Sequence, residues 1–387
     1  MRIGFPANSS RRSKVRVLIT SAAFGAAALA PLPAHAGQAF VPLTIPSDCS
    51  RDVTADLNAF FATVRNGNVI KFFINGCYRV DGTLLIQERA NLTFDGQGAT
   101  LQAFTDGTEA ADPRTRALWR ILWSTNINLK RMTIVGANAG GVYDPDFEAQ
   151  HGVWLSGVLG ATLTDMNVRQ VYGDCASVSR GSLGPGFERG SDQVTIRDVN
   201  CQAIGRQGIS VTWASNVTII ESVLTDIERT VFDLEPVAPE YVIDNILIEN
   251  NVVNSHGNYA LGSGGAGCQV SNVTFRNNTV SVRGNMLVTT NPNLGCRKHG
   301  FVIESNTVTM AQGENRFSVW KFVDDVVVSG NDVTIFPSSG GGTRIGAFFQ
   351  NAGGTLAVTD NAFCNATHAV LASRSAPVTN AGNILVC

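Results

Sequence analysis

A repeat of short apolar strands, running from residue 92 to the end of the chain, limits the possible folds more than any other feature. Each unit holds an apolar-polar-apolar run, a polar turn that often contains Asn, and a second short run. A strand-only repeat with steps of 23 to 35 residues predicts the stacked coils of a solenoid. A solenoid has no pocket of its own, so function is expected where the repeat is interrupted. The units open at Leu92, Ile127, Ala161, Val194, Val217, Ile246, Val273, Phe301, Val326 and Leu356.

The N-terminus has the pattern of an export signal. Basic residues precede an apolar, Ala-rich stretch from Val17 to about Ala30, and Ala34-His35-Ala36 resembles a cleavage site. Residues 1–36 are therefore predicted to be removed, and the stretch is too short for a membrane anchor. We expect a secreted or periplasmic protein without a membrane partner.

Removing this segment makes the chain more acidic. Five basic and no acidic residues lie in it, so the net charge changes from −2 to −7. A nucleic-acid partner is not expected, since such proteins carry a basic surface. The sequence leaves the oligomeric state open.

Cysteine usage fits the same compartment. Eight Cys in an exported chain favour disulfides, and no Cys-x-x-Cys metal motif occurs. Each Cys is separated from the next Cys of its pair by about one coil. Stacked strands lie about 4.8 Å apart, a distance that a disulfide between two Cys can span. The predicted pairs are Cys49–Cys77, Cys175–Cys201, Cys268–Cys296 and Cys364–Cys387; the offsets of Cys175 and Cys201 within their coils differ, so that pair has the least support.

Two further patterns support a solenoid. A helical spacing of apolar residues after Asp52 or Thr54 predicts a short helix through Val64 that covers the first coil, as solenoid ends require. Residues 50–90 would form this cap and the first coil of a single domain spanning 37–387. One Asn also recurs five residues after its coil opening and predicts a hydrogen-bonded ladder: Asn251, Asn278, Asn306, Asn331 and Asn361.

The chain resembles the right-handed parallel β-helix proteins of the pectin-lyase-like superfamily. The resemblance spans nearly all of residues 37–387, and the segment 46–84 is similar to the N-terminal cap of that superfamily, with Asp-x-Thr before a helix and then a Gly-x-Tyr strand. It implies an all-β, right-handed parallel β-helix of about ten or more coils with a short capping helix. A superfamily fold does not by itself imply one activity.

A more local similarity is to the polygalacturonase-like glycoside hydrolases. Their Gly-Asp-Asp-Cys and Gly-His-Gly-Ile-Ser phrases line the cleft on neighbouring coils. Gly173-Asp174-Cys175 and Arg206-Gln207-Gly208-Ile209-Ser210 correspond to them here, with one Asp missing and Gln207 in place of His. The resemblance therefore indicates the place of the cleft and leaves substrate and mechanism open.

Polar and charged residues gather in this same region. The second strands of four coils, at 151–156, 173–179, 206–211 and 229–235, are predicted to stack, and the longest inserts, 137–150 and 180–193, flank them. Long loops on a rigid scaffold commonly form the walls of a site. The candidate catalytic residues are His151, Asp174, Arg206, Asp233 and Glu235, and the candidate substrate-binding residues are Trp154, Tyr172, Gln207, Ser210, Trp213 and Arg229.

Two chemistries suit these residues. Glycoside hydrolysis needs a protonated acid and a second carboxylate, and Asp174 with Asp233 or Glu235 could supply them. Polysaccharide lyase or uronate epimerase chemistry needs a cation and a base, which Arg206 or Arg229 with His151 could supply. Hydrolysis is favoured slightly because carboxylates converge in this column and no Lys does.

Other interpretations remain open. Each candidate has a structural alternative, such as an Arg206–Glu235 bridge or a turn capped by Asp174. The protein could also be a non-catalytic glycan-binding or envelope β-helix. No essential cofactor or metal is expected, although calcium is an alternative because Asp144, Asp146 and Glu148 are spaced like oxygen ligands. A basic, aromatic strip around Arg283, 297–299 and 320–321 is a second candidate surface. In every interpretation but the envelope one, the partner is a polysaccharide.

Overall fold

The structure is a computed structural model, and within its described residues the α-helical content is one helix, Thr54–Thr63. Residues 37–387 belong to one compact unit. Within the described part of the chain, no helix is long and apolar enough to cross a membrane. The described residues are 37–106, 116–255, 257, 259–267, 269–284, 286–289, 297–310, 315–336 and 342–387.

The described strands form two long parallel sheets, sheet A and sheet B, and one antiparallel hairpin at Gly181–Gly184 and Phe187–Arg189. The strands of sheet A are Gln38–Phe40, Asp48–Asp52, Val69–Lys71, Cys77–Arg79, Ala90–Gln102, Thr125–Val135, Leu159–Arg169, Ser191–Ile204, Ala214–Ile220, Val223–Ile227, Val242–Glu249, Val252–Ser255, Gln269–Arg276, Thr279–Val282, Lys298–Glu304, Thr307–Met310, Val323–Ser329, Asp332–Ile335, Gly353–Thr359, Ala362–Cys364, Val378–Ala381 and Ile384–Val386. The strands of sheet B are Leu84–Gln87, Trp119–Leu122, Val153–Ser156, Ala176–Ser179, Ile209–Val211, Thr230–Leu234, Tyr259–Ser263, Leu287–Thr289, Arg316–Lys321, Ile345–Gln350 and His368–Ser373.

The strands of sheet B follow one another in chain order, which is the topology of a parallel β-helix. The fold is the right-handed parallel β-helix predicted from the repeat and the resemblance. In sheet A, every predicted unit opening pairs with the next, from Leu92 with Ile127 through Val326 with Leu356. The column continues one coil further to Val378. The repeat therefore predicted the strand register correctly at every step.

Alternation along each strand builds the core. In Ala214–Ile220, Val217 and Ile219 are buried and Thr218 between them is partly exposed, so one side of the strand faces the interior. Burying such a side chain contributes about 1.5–3 kcal/mol. Stacked over the coils, these positions form one continuous apolar core.

The predicted Asn ladder is present and extends to the last coil. The Oδ1 of Asn278 accepts from the backbone N and Nδ2 of Asn251 at 2.9 and 3.0 Å, and the pattern repeats at Asn306, Asn331 and Asn361, ending on Asn383. The ladder residues are not the left-handed ones, however. The residue before each takes positive φ, as at Asn250 (56°) and Asn277 (55°). The left-handed conformation is thus taken by the preceding residue, and the side chain of the ladder Asn forms hydrogen bonds to the next coil along the helix axis.

The helix covers the N-terminal end, as predicted. Asp52 Oδ1 accepts from the backbone N of Thr54 at 3.0 Å and from its hydroxyl at 2.6 Å, which orders the chain just before the helix. Leu57 and Phe61 are buried, and the Phe61 ring lies 5.7 Å from that of Trp119. The helix therefore closes the apolar end of the first coils.

Three of the predicted disulfides form: Cys49–Cys77, Cys175–Cys201 and Cys364–Cys387, with Cα–Cα distances of 5.0, 5.9 and 5.3 Å. The Cys175–Cys201 pair forms despite the different offsets of the two residues within their coils. The pair Cys268–Cys296 lies outside the described residues.

Candidate functional site

The four predicted second strands stack in sheet B. Val153 pairs with Ala176, Ala176 with Ile209, and Ile209 with Phe232, and these side chains face the core. The outward positions of the same rungs form a second column: Trp154, Ser177, Ser210, Asp233 and, one coil later, Gly262. Small side chains therefore lie between an aromatic residue at one end and a carboxylate at the other.

A cavity of about 440 Å³ opens at the C-terminal end of this column. It brings together five of the predicted site residues, which come from successive coils, and Glu148 from the insert 137–150. Its lining residues are Glu148, Arg206, Gln207, Arg229, Thr230, Asp233, Glu235, Tyr259, Gly262, Ser263, Gly264 and Val288. The predicted residues that do not line it are His151, Trp154, Tyr172, Asp174, Ser210 and Trp213.

Asp174 lies behind the cavity wall and has no exposed surface. Both of its carboxylate oxygens accept from Arg206 Nη1 at 3.0 Å. Ser210 Oγ donates to it at 2.6 Å, and the backbone N of Gln207 donates at 3.1 Å. These four hydrogen bonds hold the carboxylate in one orientation.

Arg206 connects this buried anion to the cavity. Burial lowers its pKa, but the charges of Asp174 and Glu148 more than offset this effect, so the net pKa is raised and the guanidinium stays charged. Its Nε lies 3.5 Å from Glu148 Oε2 and its Nη2 lies 3.9 Å from Glu235 Oε2. One guanidinium thus has three carboxylates around it, two of which line the cavity.

Asp233 is the buried acid of the cavity. Burial raises its pKa well above the ordinary carboxyl value, and the neighbouring carboxylate of Glu235 raises it further, against the opposing charge of Arg206. Gln207 Nε2 donates to Asp233 Oδ2, and Gln207 Oε1 accepts from Arg206 Nη1 at 2.9 Å. Gln207 therefore links the guanidinium to a carboxyl group that favours its protonated form.

His151 is buried behind Asp174. Its Nδ1 accepts from the backbone N of Asp174 at 2.9 Å, which fixes the tautomer with hydrogen on Nε2. Burial lowers the pKa of His151, so the ring is neutral at neutral pH. In this position it orders the turn that holds Asp174.

The predicted aromatic residues occupy different places. Trp154, in the outward column, has Arg120 4.5 Å from its ring centre and donates through Nε1 to Ser179 Oγ at 2.6 Å. Tyr172 contacts Phe147 of the insert. Trp213 stacks on Tyr241 with ring centroids 4.5 Å apart. One face of Trp213 is thus already covered.

Arg229 differs from Arg206 in being exposed. Its guanidinium lies 4.6 Å from the ring centre of Tyr143, whose hydroxyl donates to Glu148 at 3.0 Å. The insert 137–150 therefore reaches over the cavity and contacts the cationic side chain on its far wall. This insert is one of the two loops that were predicted to form the walls of the site.

Several residues of the cavity were missed in the sequence. Tyr259, Gly262, Ser263 and Gly264 lie on the coil after Asp233, where a Gly-Ser-Gly-Gly run was the available signal. A Cβ at Gly262 would lie 3.3 Å from Asp233 Oδ1, so glycine there leaves the acid open to the cavity.

The prediction that no Lys converges on the column was wrong. Lys298 is fully buried, and its Nζ donates to Ser263 and Gly264, both of which line the cavity. Of the predicted basic, aromatic strip, Arg283, Arg297 and His299 are exposed. Lys298 and Trp320 are fully buried, and Trp320 packs against Phe301.

The spaced acidic residues of the insert do not converge. The Oδ1 of Asp144 accepts from the backbone N of Asp146 at 2.9 Å, while Glu148 contacts Tyr143 and Arg206. Among the described residues, no group of three or more His, Cys, Asp or Glu side chains is arranged to hold a metal ion. Arg206 instead lies within 4.0 Å of three carboxylates, those of Glu148, Asp174 and Glu235.

Comparison with known proteins finds similarity in structure alone. No protein-family model and no curated protein sequence matches the chain. Among solved structures, a family 28 exopolygalacturonase of Yersinia enterocolitica has a TM-score of 0.59 at 13% identity, over 91% of this chain and 78% of that one. A DFA-IIIase of Arthrobacter chlorophenolicus has 0.61 at 12% identity, over 89% and 86%.

A surface adhesin of Streptococcus pneumoniae, PfbA, has a TM-score of 0.59 at 11% identity, over 86% of this chain and 91% of that one. At these identities the similarity shows the fold alone. The chain has a parallel β-helix fold, and two enzymes and an adhesin have similar folds. The activity must be argued from the side chains of the cavity.

Proposed function

We propose that this protein is an exported hydrolase of a glycan that binds along sheet B and reacts in the cavity at Asp233. The observation that carries the proposal is a buried carboxyl group with a raised pKa in the wall of a polar cavity, beside a second carboxylate. A carboxylic acid that stays protonated near neutral pH is what a glycosidic oxygen needs from its general acid.

Asp233 gives its proton to the leaving glycosidic oxygen as the bond from that oxygen to the anomeric carbon breaks. Glu235 keeps the proton on Asp233 before the reaction, because two adjacent carboxyl groups do not both ionise readily. Glu148, on the insert, accepts a proton from the water that attacks the anomeric carbon. Arg206 lies within 4 Å of both glutamates and holds them in place.

Asp174 takes a different role from the acid expected from its sequence. With no exposed surface and Arg206 bound to both oxygens, it acts as the anchor of that guanidinium. Ser210 and His151 support the anchor through their hydrogen bonds. Gln207 and Arg229 remain candidates for substrate contact, because both line the cavity.

Two further observations support the proposal. Structures with the same fold include an exopolygalacturonase and a DFA-IIIase, whose scaffold is therefore compatible with such a site. The N-terminal signal pattern and the disulfides favour the periplasm or the outside of the cell, where glycans occur.

The test is a polysaccharide panel with product analysis by mass spectrometry. We expect new reducing ends with the wild type and a loss of about 10²–10⁴-fold in rate with Asp233→Asn. Glu235→Gln removes a charge that raises the pKa of Asp233, so the fall in rate at high pH should move to lower pH. Glu221→Gln, in the exposed pair with Arg197, is the matched control and should leave the rate unchanged.

Other outcomes identify the alternatives. Unsaturated products that absorb in the ultraviolet, or an inverted uronate without cleavage, would replace hydrolysis by lyase or epimerase chemistry. Hydrolysis was favoured in the sequence partly because no Lys was expected near the column, and Lys298 removes that argument. The choice between hydrolysis and lyase or epimerase chemistry therefore depends on the products alone. Glycan binding with no product on long incubation would assign a non-catalytic role and refute the proposal.

A further inference from the structure

Lys298 occupies a position that the neighbouring coils give to aliphatic residues. It begins the strand Lys298–Glu304 and pairs with Val323 on the next coil. The coils before it place Val270 and Ile243 in the same column, and all four residues are 0% exposed. The side chain therefore starts inside the apolar core.

The ammonium group of Lys298 reaches the wall of the cavity from behind. Its Nζ donates to the carbonyl O of Ser263 at 2.6 Å, to Ser263 Oγ at 3.0 Å and to the carbonyl O of Gly264 at 2.9 Å. An ammonium group has three donors, and three acceptors meet them here. This arrangement suits the charged form, which would otherwise be costly in the core.

The charged groups that face Lys298 belong to the cavity. Burial lowers its pKa to about 8, and the carboxylates of Asp233 and Glu235 oppose this shift. The charges of Arg206 and Asp174 also act on Asp233. The acidic pair is thus coupled to a buried cation on one coil and to an anchored guanidinium on another.

We infer that Lys298 is a positioning residue for the Asp233–Glu235 pair, holding the Ser263–Gly264 wall and setting how many protons the pair carries. A nearby cation favours an ionised carboxylate, so Lys298 opposes the burial that favours full protonation. The change from two protons to one on the pair then occurs at lower pH. The inference rests on the proposed function only in taking this pair as the reactive group.

The experiment follows the carboxyl groups directly and needs no substrate. Asp and Glu are labelled with ¹³C at the side-chain carboxyl, and NMR titration curves are recorded for the wild type and for Lys298→Met. Spectra of Asp233→Asn and Glu235→Gln assign the two signals. We expect the pair in Lys298→Met to titrate at higher pH, by an amount on the order of one unit.

A matched control separates charge from packing. Val270→Ala removes core contacts in the same column without changing a charge, so the pair should titrate as in the wild type. A folded Lys298→Met protein whose pair titrates like the wild type would overturn the inference and leave Lys298 a purely structural tie.

A second measurement covers a Lys298→Met protein that does not fold. The sequence has lysines only at 14, 71, 130, 298 and 321, so [ε-¹³C]lysine gives few signals in the wild type. The Lys298 signal should titrate near pH 8, and the Asp233 and Glu235 signals should shift at the same pH. Carboxyl signals that do not respond there would refute the inference. A negative polysaccharide panel would refute the proposed hydrolase without changing this result.

Discussion

Arg206 donates through Nη1 to both oxygens of Asp174 at 3.0 Å, although the two residues lie on successive coils of the β-helix. Asp174 has no exposed surface, and the Arg206 side chain is 19% exposed. The same guanidinium bonds to Gln207, which donates to Asp233. A buried anion behind the wall therefore determines where the groups in front of it lie.

Replacing Asp174 by Asn should destabilise the protein strongly. Asn has the shape of Asp but no charge, so a largely buried guanidinium would lose its closest counter-ion. Removing one partner of a buried pair costs about 3–5 kcal/mol. Chemical denaturation followed by circular dichroism measures the change in the free energy of unfolding.

The control for this prediction is the exposed pair Arg197–Glu221, with 2.7 Å between its charged atoms. Glu221→Gln should change the free energy of unfolding by no more than about 1 kcal/mol, because water already solvates both groups. If Asp174→Asn is as mild as Glu221→Gln, the pair is not the anchor of the site.

Asp233→Asn should stabilise the protein at neutral and higher pH while it removes activity. The folded-state pKa of Asp233 is raised above its ordinary value of 3.8, so the folded wild type loses stability as pH rises through that folded-state pKa. Asn carries no titrating proton. The stability advantage of Asp233→Asn should therefore be greatest above neutrality and should disappear as pH falls toward 4.

Urea denaturation of both proteins at several pH values measures this difference. Thr307→Ala, on the opposite sheet and without a titrating group, should show the pH dependence of the wild type. An Asp233→Asn protein whose advantage does not change with pH would mean that Asp233 is ionised in the folded state, and its role as the acid would fail.

The fold could be predicted from the sequence because each coil of a β-helix repeats the same short pattern of buried and exposed residues. The openings from Leu92 to Leu356 carry an alternation that only one register satisfies, since a shift by one residue would expose the core. The three disulfides followed from the same one-coil spacing, and the capping helix followed from the helical spacing of its apolar residues. Most of this information lies within about thirty residues at a time.

The site was predicted less completely, because it depends on side chains that start in one sheet or coil and make their contacts in another. The column containing Ser210 and Asp233 followed from strand alignment. The burial of Asp174 did not, since it depends on the insert 137–150 and on the direction of Arg206. Lys298 starts in an aliphatic column of sheet A and ends at the wall of sheet B, and no pattern along one strand indicates such a crossing.

Asn306→Ala should destabilise the C-terminal coils through the Asn ladder. Asn306 Oδ1 accepts from the backbone N and Nδ2 of Asn278, at 2.9 and 3.1 Å, and its own Nδ2 donates to Phe275 at 3.0 Å. Alanine would leave buried donors unpaired, at about 1–3 kcal/mol each. Thermal unfolding should show the loss, and the exposed neighbour Thr307→Ala should change stability little. Equal effects would mean that the ladder contributes no net stability.

Removing the Cys175–Cys201 disulfide should affect both stability and the site. The bridge joins two fully buried residues, closes a separation of 26 residues, and starts beside Asp174. Closing a loop of this size stabilises a protein by about 3 kcal/mol. The double variant Cys175→Ala/Cys201→Ala should unfold at lower denaturant concentration and should also bind or cleave glycan less well, because the turn that carries Asp174 loses its tether.

The bridge Cys364–Cys387 provides the matched comparison, since it closes a similar separation of 23 residues far along the chain from Asp174. Cys364→Ala/Cys387→Ala should lower stability while glycan binding and cleavage below the unfolding transition stay at the wild-type level. Denaturation curves and glycan assays on both double variants separate the two effects. If the two variants lose glycan activity equally, the disulfide next to Asp174 stabilises the fold in general and has no particular effect on the site.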